Sequence, residues 1–299
     1  MKVLVTGSTG FVGGHLVSAL IRAGHDVRCL HRHSSDLSVL EGLEVELQMG
    51  NVLNLEDLHS AVGGVDAVVH LVAIIREREA TFEEVNVQGV KNLLRACRDS
   101  KPRIVHMGAL GTDMGSRSRY SRSKAAGERL VRDSNLPHTI LRPSLILGPG
   151  GDFTTRFGSL IERYRKVPLI GPGESLLQPL YVGDVVRAAI AALVSEQGRV
   201  WDLVGPERVT WNELVVRVAQ VAGLTRSIRH VPPRLARFVS KVSSLFSGEP
   251  LVTEDELILM QEDVCGDTKD FVDLTGDEPM ALDDCLERAF GPGRARVQS

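Results

Sequence analysis

No basic surplus marks this chain. Its 35 Lys and Arg face 38 Asp and Glu, a net charge of −3, whereas a dedicated nucleic-acid binder is clearly basic. No apolar run reaches the roughly 20 residues of a membrane span, and the opening Val3-Leu4-Val5 is too short for a signal-peptide core. Cysteine is scarce and scattered. Cys29, Cys97, Cys265 and Cys285 form no C-x-x-C pair and have no histidines at metal spacing, so reduced thiols, a cytoplasmic location and no metal site are expected. Internal repeats and low-complexity segments are absent as well. What remains is 299 residues, 43% hydrophobic and 24% charged, the composition of an ordinary globular chain with ample length for a large core.

The first two thirds alternate strand and helix. Val3-Leu4-Val5 ends at glycine. Phe11 to Ala23 follows with Val12, Leu16, Ala19, Leu20 and Ala23 at helical spacing, and Gly24 stands where a C-terminal cap belongs. Strands are then expected at Val27–Leu30, Val45–Leu47, Ala67–Leu71, Ile104–Met107 and Thr139–Arg142, and helices at Leu55–Val62, Phe82–Arg98 and from about Arg119. Buried strands separated by helices predict an α/β fold, a doubly wound parallel sheet of the Rossmann type. After Pro143 glycine and proline loops break the rhythm. We therefore expect a dinucleotide-binding domain over 1–150, a smaller mixed lobe over 151–290 with segments returning to the main sheet, and a flexible tail over 291–299.

The loop Thr6-Gly7-Ser8-Thr9-Gly10-Phe11-Val12-Gly13 lies between the first strand and first helix. Its glycines permit a tight turn, close approach of a pyrophosphate and tight helix–strand packing, while the helix N-terminus supplies N–H groups and partial positive charge. After the second strand the chain reads Leu30-His31-Arg32-His33, with no carboxylate until Asp36. An arginine there suits a ribose 2′-phosphate, so NADP(H) is expected ahead of NAD(H).

These motifs, with Gly50-Asn51-Val52, His70-Leu71-Val72-Ala73, Asn86 to Leu93, Tyr120-Ser-Arg-Ser-Lys124, Leu141-Arg-Pro143-Ser144, Gln178 to Asp184 and Gly205-Pro-Glu207, resemble an extended short-chain dehydrogenase/reductase. His70 to Glu77 and His106 to Gly111 narrow the resemblance to the atypical subgroup holding the Rossmann-fold accessory subunit of mitochondrial complex I. Its bacterial relatives often carry the label nucleoside-diphosphate-sugar epimerase. The resemblance implies that Gly7, Thr9, Gly10, Phe11, Val12 and Gly13 hold the pyrophosphate and that Arg32 lies near the adenosine ribose. It further implies Asn51 and Val52 at the adenine, with Asn51 where aspartate is usual. Leu71, Val72 and Ala73 would line the cofactor ribose, and Pro143 and Ser144 would flank the nicotinamide. Tyr120 and Lys124 would be the reactive pair, Lys124 also touching the cofactor. A protein assembly partner is implied as the alternative to a small-molecule substrate, such as a nucleotide sugar or a quinone-related carbonyl.

Tyr120 and Lys124 stand one helical turn apart. An ammonium beside a phenol is expected to lower the tyrosine pKa from about 10, so that the phenol exchanges a proton while a nicotinamide exchanges hydride. Active members of the family also carry a Ser or Thr hydroxyl after the fifth strand. This chain has Gly108 and Ala109 there, a loss that typically costs about 10²–10³ in turnover. Thr112 is the nearest substitute. Arg117, Arg119, Arg122, Arg129 and Arg132 cluster around Tyr120 with Glu128 as the lone acid, consistent with an anionic substrate or a solvated face. His70 and His106 read as satisfied local hydrogen bonders, and Trp201 and Trp211 as packing residues of the second lobe.

Charge is uneven near the C-terminus. Arg226 to Gly248 holds five Lys or Arg and no acid, whereas Glu249 to Glu287 holds fourteen acids and one base, Lys269. Attraction between these neighbours is expected. Within the first segment, Leu235, Phe238, Val239, Val242, Leu245 and Phe246 form a helical apolar stripe flanked by Arg234, Arg237 and Lys241. Packing on the lobe is the favoured reading, and reversible contact with an anionic membrane the lesser one.

Overall fold

A computed structural model describes residues 1–235 and 252–291. In the first half, β1 (Lys2–Thr6), α1 (Phe11–Arg22), β2 (Asp26–His31), β3 (Glu46–Met49), α2 (Leu55–Val62), β4 (Ala67–His70), α3 (Gly89–Ala96), β5 (Arg103–Met107), α4 (Arg119–Arg132) and β6 (His138–Pro143) follow the expected alternation. The second half contains β7 (Ile146–Leu147), α5 (Asp152–Arg163), β8 (Lys166–Ile170), β9 (Leu176–Leu177), β10 (Leu180–Tyr181), α6 (Val182–Ala192) and β11 (Arg199–Leu203). It continues with β12 (Val209–Thr210), α7 (Trp211–Val221), β13 (Ser227–Val231), α8 (Glu254–Leu259), α9 (Lys269–Thr275) and α10 (Leu282–Phe290).

Seven parallel strands form the main sheet in the order β11-β6-β5-β4-β1-β2-β3. Side chains alternate across the pleat. Val3, Val5, Val69 and Val105 pack on α1, α6 and Phe271 of α9, while Leu4, Val68 and Ile104 pack on α2 and α3. Both faces are therefore covered, which explains why the strands read as unbroken apolar runs. The segment Arg199–Leu203 returns to the main sheet beside β6. A separate core joins α5, β8, α7 and α10 through Phe157, Val167, Leu214 and Leu286. No helix among the described residues is long and apolar enough to cross a membrane.

Local chemistry sets the boundaries. Asn54 caps α2 by accepting the Glu56 N–H at 2.9 Å, and Ser118 caps α4 by accepting from Ser121. Gly24, at φ +80°, terminates α1. Several expectations need correction. Ala23 is exposed beyond the last buried turn of α1. Trp201 belongs to the main-sheet core, with Arg199 4.4 Å above its ring, and only Trp211 lies in the second core. The acidic C-terminal segment pairs with Arg76, Arg156, Arg187 and Arg217, and among the described residues none of its acids pairs with Arg226, Arg229 or Arg234. The amphipathic stretch beyond Leu235 and the tail beyond Gly291 lie outside the described residues.

Candidate functional site

Because all seven strands run the same way, their C-terminal ends share one edge. Gly7, Arg32, Leu71, Gly108 and Ser144 each follow a strand end on it, the crevice where doubly wound sheets bind ligands. Gly7 lies at φ +77°, and a Cβ there would come within 3.3 Å of the Leu71 and Val72 backbone. At Gly13 a Cβ would sit 2.0 Å from the Gly7 carbonyl oxygen. Only glycine allows α1 to start so close to β1. Gly10 begins the helix with no side-chain cap, and the N–H groups of Phe11, Val12 and Gly13 have no backbone acceptor among the described residues. Free donors at a positive helix end are what a pyrophosphate requires. Thr9 is half-buried in this loop, and Phe11 packs edge-on against His15 and contacts the Gly151 turn.

Beyond β2 and β3 opens a cleft of about 440 Å³ lined by Arg32, His33, Ser34, Met49, Gly50, Asn51, Asp57 and Glu79. Arg32 is exposed, and its guanidinium makes no ion pair among the described residues. The Asn51 N–H donates to Asp57 and its side-chain oxygen accepts from Leu53. Val52 instead turns into the core against Gly89, underlying the cleft without lining it.

The helix expected near Phe82–Arg98 runs from Phe82 to Ala96 and includes a π-helical stretch. A π-helical turn, Glu83–Gln88, precedes α3. It aims buried Asn86 at the loop after β4, where the side chain accepts the Ile74 N–H at 2.9 Å and donates to the Ile74 carbonyl and to Ser123. A turn later Asn92 donates to the carbonyls of Val52 and Leu53. These two amides fix the loops on either side of the glycine turn. Their roles escaped the sequence reading because a π turn leaves no periodic signature.

Tyr120 and Lys124 both project from α4 toward this edge. The Tyr120 ring meets Phe82 edge-on at 5.9 Å. Lys124 is buried and donates from Nζ to the Met107 carbonyl at 2.6 Å. Burial pushes the phenol up to about 12 and brings the amine down to about 8, against the opposing pull of Glu128. The expected depression of the tyrosine pKa is therefore not realised by the protein alone: desolvation dominates, and the ammonium is engaged by a carbonyl.

The backbone is tightly surrounded at Gly108. A Cβ on Gly108 would lie 3.3 Å from Arg142 Cγ, Glu128 Oε2 and the Leu141 oxygen. Glu128, buried, holds Arg142 through two hydrogen bonds at 2.7 and 2.6 Å and also pairs with Arg132. Thr112 does not substitute, since its hydroxyl donates to the Ala109 carbonyl at 2.9 Å. Ser144 is buried beside Pro143 at the end of β6, and its hydroxyl donates to the Gln178 carbonyl. Most of the surrounding arginines are engaged locally: Arg119 with Glu77, Arg122 with the Ser116 carbonyl, Arg129 with Asp133.

His70 and His106 are not both satisfied. His70 Nδ1 meets Thr6 Oγ1 at 2.7 Å, but His70 Nε2 and both His106 nitrogens have no partner. The two rings stack 5.5 Å apart on neighbouring strands. Burial, reinforced by the Lys124 ammonium, lowers His70 to about 3 and His106 well below its ordinary value. No group of residues able to hold a metal occurs among the described residues.

Residues 3–203 match the NAD dependent epimerase/dehydratase family. Over 223 residues the chain is 30% identical to the NADH dehydrogenase [ubiquinone] 1 alpha subcomplex subunit 9 of Arabidopsis thaliana. That alignment covers 70% of this chain and 55% of the plant subunit, so the chain matches little more than half of that relative. It is 29% identical over 233 residues to a ceramide reductase of Caulobacter vibrioides, covering 77% of this chain and 73% of the reductase. The fold superimposes on that of a Thermotoga maritima UDP-glucose 4-epimerase with a TM-score of 0.80 at 21% identity, covering 100% of both chains.

Proposed function

This chain belongs to the NAD dependent epimerase/dehydratase family, and from that premise we propose that it is an NADP(H)-binding oxidoreductase in which Tyr120 is the proton donor to a small carbonyl substrate. The single observation that carries this reading is the convergence of the free α1 N–H groups, the Arg32 cleft and the Tyr120–Lys124 helix on one sheet edge. Bound NADP(H) would supply hydride chemistry. Gly7, Thr9, Gly10, Phe11, Val12 and Gly13 would receive its pyrophosphate, Arg32 its 2′-phosphate, Asn51 its adenine, and Leu71 to Ala73 its ribose. Pro143 and Ser144 would form a wall beside the nicotinamide.

In this reading Tyr120 Oη holds the proton that goes to the substrate oxygen. The phenol is protonated at neutral pH, as a donor must be, and burial, which raises it to about 12, makes it a weaker acid that depends on a neighbouring charge to release its proton. Lys124 stabilises the phenolate that remains. The substrate is a nucleotide sugar or a quinone-related carbonyl. The epimerase neighbour supports the former, and the ceramide reductase supports a lipid-like carbonyl.

A second reading, a non-catalytic NADPH-binding protein of a larger assembly, draws on the absent hydroxyl at Gly108 and Ala109 and on the likeness to the complex I subunit. Ala109→Ser separates the two. If the missing donor limits turnover, restoring it should raise NADPH-dependent carbonyl reduction by about tenfold or more. Unchanged turnover in a variant that binds NADPH normally favours the assembly role.

Cofactor choice is tested by titration. NADPH should bind more tightly than NADH, and Arg32→Ala should remove most of the difference, about 1.5–3 kcal/mol for charge-assisted hydrogen bonds. Equal affinities in the unaltered protein refute the assignment to NADP(H).

A further inference from the structure

Among the described residues, the acidic C-terminal segment makes no ion pair with Arg226, Arg229 or Arg234. It reaches back over the site. Glu256 of α8 receives the Arg76 guanidinium at 2.8–3.0 Å through both oxygens, and Arg156 of α5, which also pairs with Asp152 at 2.9 Å, joins at 3.3 Å. The neighbouring Asp255 accepts from the Ser118 hydroxyl at 2.7 Å and from the Tyr120 N–H at 3.1 Å. One short turn thus ties the loop after β4, the second lobe and the start of the Tyr120 helix together.

The Arg76 side chain is only 14% exposed and Glu256 21%. Such a guanidinium needs an oxyanion partner, and a fork of paired N–H donors fits carboxylate and phosphate alike. The partner in this structure is the Glu256 carboxylate. Glu256 also closes a capping box with Thr253 inside its own turn, accepting from the Thr253 N–H and hydroxyl. This capping box is internal to the turn and uses neither arginine, and Leu257 beside Glu256 is buried.

We infer that Arg76 and Arg156 form the binding site for an oxyanion group of a ligand, and that Glu256 occupies this site as an internal stand-in which the ligand displaces. Asp255 follows Glu256, so displacement also uncovers the Tyr120 end of α4. The inference deepens the proposed reading of a carbonyl substrate by giving it an oxyanion group, as a nucleotide sugar has, and rests on that reading, but its test requires no turnover. Both a phosphate ester and a carboxylate offer the necessary chemistry, and two probes distinguish them.

The experiment uses the full chain, titrated calorimetrically with inorganic pyrophosphate and, separately, with malonate. Glu256→Gln keeps a residue able to close the capping box but removes the competing charge. This variant should bind at least one of the two anions about tenfold more tightly than the unaltered chain, because the closed state no longer competes. Tighter binding of pyrophosphate alone assigns a phosphate, and of malonate alone a carboxylate. Adding Arg76→Gln or Arg156→Gln should abolish the gain, with circular dichroism and NADPH binding reporting that each variant is folded.

In the unaltered chain, saturating anion should increase hydrogen exchange across residues 253–260 several-fold. Sodium chloride at matched ionic strength should not. Equal affinities with and without Glu256, or equal loosening by chloride, overturns the inference. Failure of NADPH binding or turnover alone would count against the proposed function and leave the anion result standing.

Discussion

Replacing Tyr120 by Phe is expected to lower NADPH-dependent carbonyl reduction by about 10²–10⁴, the usual contribution of a positioned proton donor. The substitution removes one oxygen. It keeps the ring that meets Phe82 edge-on and leaves the Tyr120 backbone N–H free to bind Asp255. Loss of the fold is therefore no explanation for lost activity, and NADPH affinity should remain within about threefold, under 1 kcal/mol. The lysine completes the test. Lys124 is held near 8 by burial and donates to the Met107 carbonyl, so Lys124→Met should impair both turnover and cofactor binding. The two variants thus separate proton donation from electrostatic support. Retention of a genuine NADPH-dependent activity in Tyr120→Phe refutes the assignment.

Acid should destabilise this protein well above the range where carboxylates titrate. His70 and His106 are neutral in the folded chain, lowered by burial and by the Lys124 ammonium, His70 to about 3. In the unfolded chain both return to about 6.5. Between those values the unfolded state binds more protons, so stability is fully present above about pH 6.5 and is lost as pH falls toward the folded pKa. For two such histidines the loss from pH 6.5 to 5 is about 3 kcal/mol. Denaturant unfolding at a series of pH values measures it. His106→Phe should halve the slope while preserving a stacked ring. It also removes two buried nitrogens that lack partners, and stability at pH 7.5 should hold or rise by about 1 kcal/mol. An unaltered slope in this variant would show that the histidine pair is not the source.

The short strands and the glycine turn were legible in the chain itself. Val3-Leu4-Val5 followed by Gly7, Gly10 and Gly13 admits few arrangements, because period-two burial, helix spacing and glycine geometry all act within a dozen residues. The Tyr120–Lys124 spacing is local in the same way. The family match confirms the resemblance that these motifs carried.

What the sequence could not disclose depends on contacts between distant segments. Lys124 reaches the Met107 carbonyl at the end of β5 from α4, which packs beside β6 and α3, and this burial reverses the simple expectation for the Tyr120 phenol. The space beside Gly108 is narrowed by a Glu128–Arg142 pair drawn from a helix and a strand. Asn86 reaches Ile74 only through a π turn.

The C-terminal charge shows the division most clearly. By itself the sequence determined the doubly wound sheet, the glycine turn and the spacing of Tyr120 and Lys124, since each follows from sterics and periodicity within one element. Only the tertiary structure decided which charges meet. Arg76 and Glu256 are separated by 180 residues, and Coulomb attraction at a few ångströms depends on spatial position and burial, neither of which is encoded in the order of the charges.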